Sequence, residues 1–438
     1  MSRSPAVLAL AVIVAAAGVG LAGASVAAVG GDTGLASGAV APAPLGDDGI
    51  VPPPTGGIAD ADGVDGIEAV ADDAEEGDGD PIRVGVIGSG FGGDRSAIDG
   101  RVAGRYDAGD VRFGLTADGH DTAVASVVAD RADDAALYLA TVGYRPTPAE
   151  YERAVEWLVA NDADVIVDAG SYYPQTAAGR DRIGDAVERA ADAGSVVVTS
   201  GGNTANRHWR GDADEPGWLA FDDDGTQGNR LGDGPVSGRV TLRLYWAGDA
   251  NYDLYLYRDT PGEDDPVVAK STRESGRAEA IDAVVPRGNY YVGVYARDAD
   301  AGPVDLFAAR HRLTHAAENA SGPLASTPEG VISVGAVAAD GGVADYSPAD
   351  TDVRGPGTVR LDDGRRLEGT SAAAPAVAGV AARMAAEADD DLAPGAVERL
   401  LRTTANDGRV DPAAAVAAAE RGRSANGSRN ETVDVAGP

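Results

Sequence analysis

Three patterns of apolar spacing divide the chain. From residue 82, short apolar runs bounded by glycine alternate with segments of helical period. Ile82–Ile87, Leu137–Val142, Asp164–Val167 and Val196–Thr199 read as strands. Thr147-Pro148-Ala149-Glu150 is a capping box with proline at the first helical position, and Tyr151, Val155 and Leu158 recur behind it at helical spacing. A second helix is expected near 178–193, ended by Gly194. Apolar strands alternating with helices of this length predict a parallel sheet covered on both faces.

At about residue 208 the period changes from 3.6 to two. Leu242, Leu244 and Trp246 share one face of Val240–Trp246; Leu254 and Leu256 repeat the pattern, as do Tyr290, Val292 and Val294. Residues 208–322 therefore read as an inserted β-sandwich, with a core of its own built from Leu242, Leu244, Leu254, Leu256, Val292 and Val294. The α/β pattern returns at 323 with strand Val331–Val337 and an alanine-rich helix from Ser371. The expected fold class is α/β: a parallel sheet flanked by helices, its domain (67–207 and 323–421) interrupted by the β-sandwich module. Residues 422–438 read as a polar tail.

The third pattern lies at the start. Arg3 precedes an almost unbroken apolar run over 5–22, and Ala22-Gly23-Ala24 fits a small-residue cleavage site. Residues 1–30 read as a signal peptide, with a retained N-terminal membrane anchor as the alternative, since the run extends to about 24 residues. Either reading puts the remainder outside the cytoplasm, secreted or anchored to the outer face of the membrane. Residues 31–66, rich in Gly, Ala, Pro and Asp, read as a solvated acidic linker, and Asp72 to Asp80 continues the acidic run. Sequons stand at Asn319, Asn426 and Asn430.

Composition narrows the function. The 438 residues carry a formal charge of −34, which excludes nucleic acid as a natural partner and disfavours an anionic membrane surface. Lys270 is the only lysine, against 35 arginines. A compact fold of this charge repels itself at low salt, and molar salt, with a Debye length of about 3 Å, removes most of that strain. There is no cysteine, so disulfides, thiolate metal sites and a cysteine nucleophile are excluded.

The candidate chemistry lies in three blocks. In Gly369-Thr370-Ser371-Ala372-Ala373-Ala374-Pro375, Ser371 sits where a loop enters a long helix, so developing negative charge would face the helix N-terminus. Pro375 is expected in the first turn, where its missing N–H is not needed. Taken alone, Ser371 also reads as an ordinary helix cap. Gly119-His120-Asp121-Thr122 opens a small-residue helix, and the other three histidines lie in or beside the insert. Gly201-Gly202-Asn203 directly follows a buried strand, and open α/β sheets place their sites at that edge. A nucleophilic serine, a histidine base and an amide donor for an oxyanion are what acyl transfer needs. A rival reading is a dinucleotide-binding fingerprint at Gly88-Ser89-Gly90-Phe91-Gly92-Gly93, a G-x-G-x-x-G after a strand whose pyrophosphate would rest on the following helix N-terminus, although any helix there is barely a turn and a half long.

These blocks resemble the subtilisin-like serine peptidases. Gly369–Pro375 is similar to that family's serine signature, Gly119–Thr122 to its His-Gly-Thr block, Ser200–Asn203 to its oxyanion-asparagine block, and Gly330–Ala336 to the strand before the serine loop. The composition resembles that of haloarchaeal proteins. The resemblance implies a serine endopeptidase acting on protein or peptide substrates, with Ser371 as nucleophile, His120 as general base and Asn203 as oxyanion donor. It implies no required cofactor. Structural calcium is frequent in the family, but the acidic residues are too many to place a site, and oligomeric state is not readable. Ala169-Gly170-Ser171-Tyr172 occupies the substrate-wall region. That segment departs from the family's usual Ser-Leu-Gly, and the chain departs at two further positions: the acid expected at the end of the first strand reads Gly88, and the glycine after the histidine reads Asp121. Glycine at 88 implies impaired turnover, so Gly88→Asp is expected to raise activity. Asp118, Asp121 and Asp168 are candidate substitutes, with Asp121, adjacent to His120, expected to point elsewhere. The alternative is an inactive homologue that binds protein or peptide as an extracytoplasmic scaffold.

Overall fold

The computed structural model describes residues 81–93, 96–109, 119–298, 302–317, 330–388 and 392–430. The leader and linker over 1–66, the acidic run, Asp118, the Asn319 sequon and the tail beyond 430 lie outside the described residues.

Two blocks of chain build one seven-stranded sheet. The first supplies β1 (Arg83–Gly88), β2 (Val102–Asp107), α1 (His120–Arg131), β3 (Ala136–Thr141), α2 (Pro148–Ala160), β4 (Val165–Asp168), α3 (Ala177–Asp192) and β5 (Val196–Ser200). The sheet runs in the order β16-β15-β5-β4-β1-β3-β2, every pairing parallel; β15 is Val331–Val337 and β16 is Val353–Pro356. The period-2 geometry of each strand divides its side chains between two cores. Val84, Val86, Val165, Val167, Val196 and Val198 face α1 and α4 (Thr370–Glu387). Ile87, Ile166 and Val197 face α2 and α3 on the opposite side. Strands buried on both faces are why these runs carry almost no polar residue. Thr147 caps α2 through its predicted capping box.

The edge strand β2 was not expected from its sequence. VAGRYD alternates between half-buried and exposed positions, and Tyr106 is held by stacking on Trp157 at 5.4 Å.

Between β5 and β15 the described residues form nine strands: β6 (His208–Gly211), β7 (Gly217–Trp218), β8 (Asn229–Arg230), β9 (Val236–Trp246), β10 (Tyr252–Arg258), β11 (Val267–Ser271), β12 (Ala278–Gly288), β13 (Tyr290–Ala296) and β14 (Val304–Ala308). They make two antiparallel sheets, β11-β10-β13-β7 with β8 added on β13, and β12-β9-β14-β6. All six residues expected in the insert core are fully buried in a single cluster shared by both sheets. β9 is buried on its other face too. Thr241, Arg243 and Tyr245 are buried, and two of them meet the segment after β4: Arg243 Nε donates to the Tyr173 carbonyl (2.9 Å) and Tyr245 Oη to the Pro174 carbonyl.

After β16 come the hairpin β17 (Thr358–Arg360) and β18 (Arg366–Glu368), then α4, α5 (Pro394–Thr404) and α6 (Pro412–Asn430). α6 runs on to Asn430, into the stretch read from sequence as tail, because Ala413–Ala419 give it a strong helical start. Among the described residues no helix is long and apolar enough to cross a membrane.

Candidate active site

The strand ends bring the predicted residues together. β1 ends at Gly88, β4 at Asp168 and β5 at Ser200, and the loops beyond them carry Ser89-Gly90, Ala169–Tyr172 and Gly201–Asn203. His120 opens α1, and Ser371 is the second residue of α4. His120, Asp121, Ala169, Asn203 and Ser371 all line one cleft at this C-terminal edge of the sheet.

Ser371 is 5% exposed, and its Oγ donates to the Ala169 carbonyl at 3.1 Å. Gly369, the cap of α4, has φ +97°, a conformation that side chains rarely adopt. A Cβ there would also stand 2.8 Å from Asn203 Nδ2. Asn203 Oδ1 accepts from the Thr370 N–H (3.0 Å) and the Thr370 hydroxyl (3.2 Å). With its oxygen committed to α4, the NH2 end of the amide is the end that can donate to another group.

Pro375 departs from expectation. It is the sixth residue of α4, past the first turn, so the helix lacks the bond that an N–H at 375 would make to the Ser371 carbonyl.

Asp121 corrects the sequence reading most sharply. Its side chain does not point away: Oδ1 lies 2.9 Å from His120 Nδ1. Oδ2 accepts from Ser89 Oγ at 2.8 Å and from the Gly90 N–H at 3.0 Å. Both His120 and Asp121 are buried. Burial pushes the Asp121 carboxyl up, but its hydrogen bond and charge interaction with His120, with the Ser89 and Gly90 donors, outweigh this and hold it below the ordinary aspartate value. The sequence signal for this contact was the pair of departures at 88 and 121, which are complementary in space.

The same geometry overturns the expected benefit of Gly88→Asp. A Cβ on Gly88 would meet Asp121 Cβ and Cγ at 2.7 Å, closer than real Cβ contacts come. With Asp121 in place, the site has no room for a side chain at 88.

Asp168 is engaged elsewhere. Its Oδ1 accepts from the Gly170 N–H (2.8 Å) and Tyr172 Oη (3.0 Å), and its Oδ2 from Tyr151 Oη (2.8 Å). Burial raises its pKa to about 6 against these three donors, with the charge of Asp121 adding to the rise. Burial, and then Asp168, push both tyrosines well above the ordinary phenol value.

The G-x-G-x-x-G alternative fails locally. Residues 96–101 form turns, and the next helix among the described residues is α1, so no helix N-terminus follows β1 closely enough to receive a pyrophosphate. For the calcium suggested by resemblance, no group of three or more Asp, Glu or His side chains among the described residues is arranged to hold a cation.

Comparison with known proteins bears on the fold. The CspB protease of Clostridium perfringens superposes with a TM-score of 0.53 at 14% identity, covering 78% of this chain and 94% of its own. The fold is subtilisin-like. A Pseudoalteromonas arctica protease (17% identity, 77% of this chain and 90% of its own, TM-score 0.45) and the nisin leader peptidase NisP of Lactococcus lactis (13%, 77% and 87%, 0.42) are more distant in shape. In sequence, residues 311–422 match the Subtilase family, a range that includes Ser371 and all of α4 but not His120 or Asn203. No curated protein matches the chain.

Proposed function

We propose that this protein is a subtilisin-like serine endopeptidase, with Ser371 as nucleophile, His120 as general base and Asn203 as oxyanion donor. The observation that carries the reading is the convergence of these three residues, from α4, α1 and the loop after β5, on one cleft. The Subtilase match over the serine block supports a serine peptidase independently of that geometry.

In the proposed reaction Ser371 Oγ attacks the peptide carbonyl carbon, and its proton passes to His120 Nε2. The carbonyl oxygen becomes an oxyanion that accepts from Asn203 Nδ2, beside the N-terminus of α4, whose dipole also favours negative charge. Collapse breaks the C–N bond, and His120 returns the proton to the leaving amine. Water then attacks the Ser371 ester with His120 taking its proton, the C–Oγ bond breaks as His120 returns that proton to Ser371 Oγ, and the acid product leaves. Against the alternative of an inactive scaffold, which rests on Gly88, stands the Asp121 carboxylate 2.9 Å from His120 Nδ1. Secretion or anchoring through residues 1–30, and adaptation to high salt, belong to the same proposal, supported by the apolar leader and the charge of −34.

The test is labelling of the purified chain with a fluorophosphonate probe in molar salt, alongside hydrolysis of an unfolded protein. The wild type is expected to label and to cleave, and folded Ser371→Ala to do neither. A folded wild type that does neither rejects the peptidase reading.

A further inference from the structure

The acid that serves His120 comes from an unexpected place in the chain. In the pattern this chain resembles, an aspartate ends the first strand and a glycine follows the histidine. Here both positions are altered in opposite senses: Gly88 ends β1 and Asp121 follows His120. In space the two positions meet. The point where a Gly88 side chain would begin lies 2.7 Å from Asp121 Cβ and Cγ and 3.0 Å from Oδ2. The Asp121 side chain occupies the volume that an aspartate on β1 would have filled.

We infer that positions 88 and 121 have exchanged roles, and that Asp121 is the positioning residue for the His120 imidazole. Its carboxylate is anchored on three sides, by His120 Nδ1, Ser89 Oγ and the Gly90 N–H. An acceptor on Nδ1 holds the proton there and leaves the Nε2 lone pair for the serine proton. A fixed anion at this distance also stabilises the imidazolium that forms when that proton arrives. Adjacent residues on a helix normally diverge, but these are the first two residues of α1. Oδ2 is drawn back over the start of the helix by the loop after β1, and an acidic side chain in a first turn is favoured there. The exchange is reciprocal: with aspartate at 121, position 88 must be glycine, and an aspartate at 88 requires 121 to be small.

This inference rests on the peptidase reading only for its kinetic consequences, so the primary test does not use turnover. The full chain, 15N-labelled at histidine, is titrated by NMR in molar salt, with His120 assigned by its loss in His120→Gln. In folded Asp121→Asn the His120 pKa is expected to fall by about one pH unit or more, the scale on which a neighbouring opposite charge acts. An unchanged titration overturns the inference. The second test is the swap. Gly88→Asp alone is expected to lose activity or fold poorly. Asp121→Asn is expected to lose about 10⁴ in kcat with KM little changed. The double variant Gly88→Asp/Asp121→Gly is expected to recover both the titration and most of the turnover. A folded double variant that recovers neither overturns the exchange. An inactive wild type whose His120 pKa still falls in Asp121→Asn rejects the peptidase reading and leaves the pair standing.

Discussion

Asn203 Oδ1 takes both the backbone N–H and the hydroxyl of Thr370, the residue before the proposed nucleophile. One amide thus fixes the start of α4 with its oxygen and offers its nitrogen to the cleft.

The two ends of that amide separate by substitution. Asn203→Asp keeps the acceptor for Thr370 and removes the donor. Its kcat on a peptide substrate is expected to fall by at least about 10², the cost of one oxyanion donor, with KM and thermal midpoint close to wild type. A fall in thermal midpoint matching the loss of activity would mean that the asparagine serves α4 alone.

Asp168 makes stability depend on pH. Its folded pKa of about 6 stands above the ordinary 3.8, so between these values the unfolded chain releases its proton while the folded protein keeps it. The Asp168 contribution is therefore intact below about pH 4, declines as pH rises to about 6, and is lost above, by about 3 kcal/mol at 1.36 kcal/mol per pH unit. Asp168→Asn preserves the shape and removes the titration. Denaturant unfolding at several pH values should show the variant gaining on wild type by roughly that amount between pH 4 and 7, with no further gain above.

Arg243 ties the insert to the wall of the cleft. It is fully buried, donates to the Tyr173 and Leu242 carbonyls, and pairs with Asp282 at 3.0 Å. Asp282 in turn accepts from Gln175. Arg243→Met breaks a buried pair and should cost about 3–5 kcal/mol in denaturant unfolding. Tyr172, next to the contacted carbonyl, lines the cleft, so KM for a peptide should rise more than kcat falls. An unchanged KM would separate the insert from substrate binding.

What the sequence made legible follows from periodicity. The strands of the α/β sheet and the sandwich core stand out because burial on both faces, or on one, leaves a run or an alternation. The residues of the proposed site, His120, Asn203 and Ser371, stand out in the sequence because each sits at a strand-to-loop or loop-to-helix junction marked by glycine. Three things do not. β2 is an edge strand with too little apolar surface to show a period. Arg243 on β9 reads as a polar outer position, and only the docking of 173–175 makes it an interior one. The direction of the Asp121 side chain is not legible, because sequence adjacency says nothing about which backbone position leaves space, and that space exists only once β1 lies against α1.

The insert also sets an order of assembly. β5 and β15 are neighbours in the sheet, with Val197 paired to Val331, yet the whole sandwich is synthesised between them. His120 and Asn203 leave the ribosome before it, and Ser371 after it. The three residues of the proposed reaction are therefore together in the chain only after the sandwich has been made. Once folded, the sandwich replaces a long flexible loop by a compact body and lowers the entropy lost in bringing β15 to β5.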